Sequence, residues 1–222
     1  MKKILIIAFV IVAQISFGQV TKNLGDFSDI KVFDKLKVTL IASSESKAEI
    51  TGNRAAEVEF VNKNGELKIR MPFPKLLSGD DITIKLYFKN IESITATEGS
   101  FVSCDTSFKQ TIMDLSVKEG AQININLEVQ KVNVKAVTGG IIELSGKALN
   151  QDVVIMSGGI LQSKELHTSQ TSINVSAGGN AEIHADTLVD AKVKAGGSIY
   201  IYGSPKQINK ETLFGGTIVE KK

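Results

Sequence analysis

The chain has almost no cysteine, which removes one common way of stabilising a small exported protein. Cys104 is the only cysteine among 222 residues, so no disulfide can form within the chain. A lone cysteine can be a reactive thiol, but Cys104 falls at an inward position of the repeat described below. We therefore expect a buried core residue.

Arginine is also scarce, and the charges balance. Only Arg54 and Arg70 stand among 26 basic residues, and the rest are lysines, which indicate a solvated surface because lysine lacks the bidentate fork of arginine. There are 24 acidic residues. Without Lys2 and Lys3, which belong to the signal peptide predicted below, 24 basic residues remain and the net charge is zero. Nucleic-acid binding requires a clustered basic excess, and we expect no nucleic-acid partner.

Histidine is limited to His167 and His184. The repeat places His184 at an outward position and His167 in another phase of the coil, so we predict no metal pair. Asp186 could face the same side as His184, but no serine or cysteine nucleophile completes a catalytic arrangement. The segment 178–182 lacks the glycine that follows the Gly-Gly pair, and the aspartate, of calcium-binding β-roll repeats. We expect no metal, no cofactor and no catalytic residue.

The longest apolar run lies at the start of the chain, where it has the pattern of a secretory signal peptide. Two lysines precede the uninterrupted apolar stretch Ile4–Val12, and Ser16–Gly18 supplies small residues at the positions that a signal peptidase reads. We predict a signal peptide over residues 1–18 and export to the periplasm, outer surface or extracellular medium, with no transmembrane span after cleavage. An uncleaved anchor is the alternative, because the stretch through Phe17 approaches the lower spanning limit.

A pair of small residues recurs every 18 to 21 residues in the second half of the chain. The pairs are Gly99-Ser100, Gly120-Ala121, Gly139-Gly140, Gly158-Gly159, Gly178-Gly179, Gly196-Gly197 and Gly215-Gly216. A step of this length is short for a helical hairpin or a propeller blade and fits one turn of a β-solenoid. Glycine at φ > 0 suits a sharp corner between two strands.

Apolar and polar residues alternate on both sides of each pair, which predicts strands with one buried face. The inward columns after the pair begin Val102, Ile123, Ile142, Leu161 and Cys104, Ile125, Leu144, Ser163; those before it begin Ile94, Leu115, Val134 and Ala96, Val117, Ala136. We predict an all-β fold: a single-stranded right-handed parallel β-helix of about seven rungs over residues 94–222. Lys210, Thr212 and Glu220 take inward positions in the last rung, where we expect a polar cap.

Residues 19–93 lack the glycine pair but are also rich in alternating strands. Asn64-Gly65, between two alternating segments, predicts a hairpin. No linker separates this part from the repeats, so we expect one continuous domain with an N-terminal β-rich cap region. Residues 71–79 form an apolar loop with two prolines. We expect this loop to fold back over the open end of the stack, and a partner-binding loop is the alternative.

The order of these features resembles a known family. An exported start is followed by Phe27–Val32, Val38–Leu40, Ala48–Ile50 and Gly65–Ile69, and then by the glycine-pair rungs. Over residues 20–220 this is similar to the putative autotransporter adhesin, head GIN domain family, which is common in Bacteroidetes. The resemblance implies a β-helical protein of the envelope or extracellular space, with adhesion as the suggested role, and it brings no catalytic residues.

Three functions remain open on the sequence. The first is a non-catalytic binding or adhesion module for an unknown surface protein or glycan, and the second is a structural envelope protein. The third is a carbohydrate-active enzyme of the β-helix type. Glu143 and Glu182 form the only candidate carboxylate pair for such an enzyme, two rungs apart with Gln162 between them. Two rungs span about 9–10 Å, near the upper limit for an inverting pair, and a solvated strand face is the simpler interpretation.

Overall fold

The computed structural model describes residues 19–221, and these residues are almost entirely β-structure. The predicted signal peptide, residues 1–18, lies outside the described residues. Within them the single helical turn is the 3-10 segment Ala55–Glu57. The strands are β1 Val20–Asn23, β2 Asp29–Val32, β3 Lys37–Ala42, β4 Lys47–Thr51, β5 Glu59–Lys63, β6 Glu66–Arg70, β7 Thr83–Phe88, β8 Ser93–Ala96, β9 Phe101–Cys104, β10 Phe108–Val117, β11 Gln122–Val137, β12 Ile141–Met156, β13 Ile160–Ser176, β14 Asn180–Lys194, β15 Ser198–Tyr202, β16 Gln207–Leu213 and β17 Thr217–Glu220.

The repeats form a β-solenoid of about seven turns, as predicted. Successive coils pair in parallel, so that Ile123 lies opposite Ile142, and Ile142 opposite Leu161. These side chains are at most 1% exposed. The core is therefore a set of apolar columns that run along the stack, and Cys104 lies in one of them, buried as expected.

The corner between two strands of a coil is a pair of left-handed residues. Thr138 has φ 50° and Gly139 has φ 71°, so the first glycine of the pair does occupy the conformation that favours glycine. The second position of the pair requires glycine for a different reason. A Cβ on Gly159 would lie 2.3 Å from the carbonyl oxygen of Ala136, so this position needs glycine because the backbone of the preceding coil passes so close.

Each long strand continues round a further bend and adds a third wall to the coil. Strands β11 to β14 are 15 to 17 residues long. The repeat analysis did not identify the inward column on this wall. It contains Val129, Ala148, Thr168 and Ala185 in register. The first inward column of the wall that follows, with Met113, Val132, Gln151, Thr171 and Val189, was not identified either.

The N-terminal coils stack in a different order from the one they have in the chain. Strand β2 pairs in parallel with both β6 and β8, and β3 pairs with both β7 and β9. The first coil therefore lies between the second and the third. Antiparallel strands close the outer edge, because β7 pairs with β4, β4 with β1, and β6 with β5 through the predicted Asn64-Gly65 hairpin.

The last coil carries polar residues where the others are apolar. Lys210, Thr212 and Glu220 lie opposite Ala191, Val193 and Ile201. Lys210 Nζ is 2.6 Å from Glu220 Oε1, so the two charges pair at this end of the core. An ion pair at these positions agrees with the polar cap that the sequence predicts.

Residues 71–79 form the corner of the outermost N-terminal coil, between β6 and β7. Met71 is fully buried, but Phe73, Leu76 and Leu77 are exposed. The expectation that this loop folds over the end of the stack is therefore wrong for its apolar tip, because its base is tied down while the tip projects into solvent.

Candidate functional site

A shallow groove of about 830 Å³, lined by both polar and apolar groups, follows the bend where strands β11 to β14 leave their third wall. Its walls come from four successive coils. The charged, polar and apolar side chains that line it include Glu128, Lys147, Leu149, His167, Ser169 and Asp186. Because the coils are in register, these residues stand in columns at about 4.8 Å spacing along the stack.

Strand β13 contains a β-bulge beside this groove. The four-residue step from Ser163 to His167 stands opposite the single step from Ile183 to His184, so residues 164–166 form a bulge that has no partner in β14. In the coil on the other side, Gly146 has φ 103°, and a Cβ there would lie 2.1 Å from the carbonyl oxygen of Leu127. The backbone at Gly146 thus lies tight against the preceding coil, while the next coil holds the extra residues.

The same bulge brings the two histidines together. The prediction that they lie in different phases of the coil is wrong, because the extra residues of β13 shift His167 into register with His184. Their ring centroids are 4.1 Å apart, with 56° between the planes. His184 Nε2 lies 3.5 Å from Asp186 Oδ1, and its Nδ1 lies 3.2 Å from the carbonyl oxygen of Lys164.

A buried hydrogen-bond network supports the bulge from inside the core. The Gln151 amide nitrogen is 3.2 Å from Ser163 Oγ, which donates to the carbonyl oxygen of Glu182 at 2.9 Å. Thr168 Oγ1 donates to the carbonyl oxygen of His184 at 2.6 Å and lies 2.9 Å from Thr171 Oγ1. Among residues 19–221 no buried side-chain nitrogen or oxygen lacks a partner, so the network stabilises the irregular backbone instead of disrupting the core.

Sequence reasoning missed most of this network. Ser163 interrupts an apolar inward column and was visible as an exception. Thr168 lies on the third wall, and Gln151 and Thr171 lie in the inward column that precedes Val153 and Ile173; neither column was identified from the repeat. Their polarity made those positions look solvent-exposed. The usable signal was the extra length between Ser163 and Thr171 relative to the neighbouring coils.

Charges of both signs line the groove. Glu128 Oε2 lies 2.8 Å from Lys109 Nζ, and that hydrogen bond holds the pKa of the Glu128 carboxyl below its usual value, with a further contribution from Lys147. Glu128 stands beside Lys147, and Lys147 beside His167. The side chain of Leu149, 50% exposed, adds an apolar patch. This combination suits a polar ligand that also presents some apolar surface.

The candidate carboxylate pair lies in a neighbouring groove of about 300 Å³. Glu143 pairs with Gln162 and Gln162 with Glu182, so the predicted column is confirmed. The Asn124 amide donates a 2.8 Å hydrogen bond to Glu143 Oε2. Both glutamates line this groove, which is the arrangement that a carbohydrate-active β-helix would need.

Two further findings concern metal binding and membrane spans in the described residues. Between Gln19 and Lys221, no three His, Cys, Asp or Glu side chains are arranged to hold a metal ion. No helix in that part of the chain is long and apolar enough to cross a membrane.

Known proteins place this architecture in context. Residues 26–205 match the family model described as putative auto-transporter adhesin, head GIN domain. No curated protein sequence matches the chain.

Several solved structures are similar along nearly their whole length. A putative adhesin from Bacteroides fragilis has a TM-score of 0.84 and 20% identity, covering 93% of this chain and 98% of that one. A putative adhesin from Parabacteroides distasonis has a TM-score of 0.74 and 22% identity, covering 92% and 96%. A protein from the same species called a putative lipid binding protein has a TM-score of 0.66 and 16% identity, covering 91% and 96%. At these identities the likeness shows the fold.

Proposed function

Because the chain belongs to the putative auto-transporter adhesin, head GIN domain family, we propose that it is an exported, non-catalytic binding module of the cell envelope or cell surface. Its binding site is the groove along β11 to β14. The observation that carries this proposal is the bulge at 164–166, which a buried hydrogen-bond network holds in place beside columns of exposed polar side chains. Irregular backbone that is stabilised in this way is typical of functional surfaces.

The ligand classes that fit are a glycan or a polar protein surface. Lys147, Glu128 and Ser169 offer donors and acceptors, and Leu149 offers an apolar contact, which together match a polyhydroxyl ligand with apolar ring faces. The neighbour called a lipid binding protein adds lipid head groups to the ligands worth testing at this groove.

A glycan array probed with the chain from Gln19 onward tests the proposal. We expect selective binding, which Leu149→Asp abolishes by placing a charge on the apolar contact. Leu213→Asp is the matched control, because Leu213 is also about half exposed, at 44%, and lies in the last coil far from the groove. If Leu149→Asp still binds, the binding site lies outside the groove. If the wild type binds no glycan and no surface protein, the structural envelope function is favoured.

The second candidate is a carbohydrate-active enzyme, which the placement of Glu143 and Glu182 in one groove favours. Incubation with acidic and neutral polysaccharides, with detection of new reducing or unsaturated ends, tests it. The binding-module proposal expects no turnover. Turnover by the wild type that disappears in Glu143→Gln would replace binding with catalysis.

A further inference from the structure

The corner between β6 and β7 is enlarged into a loop whose tip carries three exposed apolar side chains. Phe73 is 86% exposed, Leu76 51% and Leu77 50%. Clustered exposed apolar groups mark interaction sites, since water otherwise disfavours them. We propose that this tip docks into the surface of a lipid bilayer. The loop is separate from the groove, so this inference goes beyond the proposed function.

The loop is held in one conformation before any partner arrives. The buried carboxylate of Asp34 accepts hydrogen bonds from the backbone N–H of Met71 at 2.9 Å and of Leu77 at 2.8 Å. The N–H of Gly79 donates to the carbonyl oxygen of Asp34 at 2.9 Å, and Arg54 donates to the carbonyl oxygen of Ser78. Little conformational entropy is left to lose on docking, which favours a binding role for the exposed tip.

Several polar groups of the loop are satisfied within the protein, which lowers the cost of placing the loop in an apolar environment. Lys75 Nζ lies 2.8 Å from both carboxylate oxygens of Glu57, so the cation nearest the tip is paired. The Lys75 N–H donates to the carbonyl oxygen of Pro72 at 2.7 Å, and Ser78 Oγ donates to the carbonyl oxygen of Lys75 at 2.5 Å. Pro72 and Pro74 have no N–H to satisfy. An unpaired polar group would oppose insertion into lipid.

The start of the described chain lies next to this loop. Val20 pairs with Ile50, and Ile50 with Ile84 of β7, so Val20 lies about 10 Å from Ile84. Strand β1 therefore runs parallel to β7, and its first residue, Val20, lies beside the end of β7 that follows the loop. Six residues separate the apolar stretch Ile4–Val12 from Gln19, so the chain from Val12 to Gln19 reaches at most about 25 Å. A membrane that holds this stretch during export would therefore lie within about 25 Å of Gln19, at the end of β7 that follows the loop.

The experiment uses the absence of tryptophan from the chain. Phe73→Trp, in the chain from Gln19 that contains every described element, places a single fluorophore at the tip. With phosphatidylcholine vesicles we expect emission to shift to shorter wavelength and to be quenched by lipids brominated in their acyl chains. Because the tip has no free cation, salt should leave the effect unchanged. Phe214→Trp is the matched control, since Phe214 is also 86% exposed, and its emission should not move.

Co-sedimentation with the same vesicles gives a second readout. Phe73→Ser combined with Leu76→Ser should lower partitioning about tenfold or more, whereas Phe214→Ser should not. Leu149→Asp should keep vesicle binding even where it abolishes glycan binding, so the two proposals can fail separately. An unshifted Phe73→Trp spectrum, or an equal shift in Phe214→Trp, overturns the membrane inference. A concentration-dependent dimer that Phe73→Ser abolishes would assign the tip to a second copy of the chain.

Discussion

The coils of β2 to β9 and the coils of β11 to β15 use the same parallel pairing. They differ in whether the order of the coils in the stack follows their order in the chain. In the later coils each turn stacks on the one before it, and one corner with a glycine pair recurs. In the earlier coils the first turn lies between the second and the third, and the corners differ from one another.

The corner backbone nevertheless stays the same where the sequence changes. Asp34 and Lys35 have φ of 60° and 62°, the same left-handed pair as Thr138 and Gly139 at 50° and 71°. Neither residue of the earlier corner is glycine, and the side chain of Asp34 anchors the neighbouring loop instead. The left-handed corner therefore does not require the glycine pair, and at Asp34 a side-chain anchor takes the place of glycine.

The largest expected effect is the loss of one column residue from the regular coils. Ile183 is fully buried, so Ile183→Asp places an unpaired carboxylate in the core and should cost more than about 4 kcal/mol of unfolding free energy. We expect no folded, secreted protein, as measured by circular dichroism and by export yield. Glu182→Gln, one residue away on the outward face, should stay within about 0.5 kcal/mol of the wild type. A normal melting curve for Ile183→Asp would remove this residue from the core.

The two glycines of one corner should respond differently to a methyl group. In Gly159→Ala the Cβ meets a backbone carbonyl oxygen at 2.3 Å, and we expect a loss of about 3 kcal/mol. Gly158→Ala meets no atom within 4 Å and bears only the strain of φ 75°, about 1–2 kcal/mol. Urea unfolding of both variants measures the difference. Equal losses would mean that conformation alone selects glycine at this corner.

The side-chain anchor of the early coils gives a smaller effect. Asp34→Asn keeps the shape and tolerates the left-handed backbone, but its NH₂ group cannot accept both loop N–H groups, so about 1–3 kcal/mol should be lost. Hydrogen exchange at Met71 and Leu77 should accelerate. Exposed Asp80 offers the control, and Asp80→Asn should exchange like the wild type. Unchanged protection in Asp34→Asn would show that other contacts order the loop.

The smallest effect concerns Glu98, beside the same anchor. Burial, and then the charge of Asp34, raise the pKa of the Glu98 carboxyl above its usual value. The folded protein therefore binds this proton more tightly than the unfolded chain, so stability falls as pH rises from the usual value of 4.5 through the raised one. Glu98→Gln should remove this pH dependence and stabilise the protein slightly at pH 7. Melting temperatures at pH 4 and pH 7 test this, and an unchanged difference between them would contradict it.

Much of the repeat region could be predicted because its signal is local. Val102, Ile123 and Ile142 each stand at the same distance from a small-residue pair, and period-two alternation sets their face. Two inward columns escaped prediction because each contains a polar residue, Gln151 in one and Thr168 in the other, although buried hydrogen bonds satisfy both. The contact of His167 with His184 depends on a bulge, and bulges change register without an evident sequence signal.

The order of the early coils could not be predicted for a similar reason. Alternation in Ile30–Val32 and Leu67–Ile69 identifies strands with a buried face, but it does not say which strand lies beside which. Strand order depends on long-range pairing, in which β2 pairs with β6 on one side and with β8 on the other. The exposed tip at Phe73 was misjudged because apolar loop residues are usually buried, and the anchor at Asp34 lies far away in sequence.

Engineered disulfides in a Cys104→Ser background test most directly whether both regions form one stack with the first coil inserted between its successors. Lys31 lies opposite Lys68 on one side and Thr95 on the other. Lys31→Cys should therefore cross-link with Lys68→Cys and, in a separate variant, with Thr95→Cys, while the Lys68→Cys, Thr95→Cys pair should stay reduced at about 10 Å. Efficient cross-linking of that last pair, with none to position 31, would contradict the inserted coil and the continuous stack built on it.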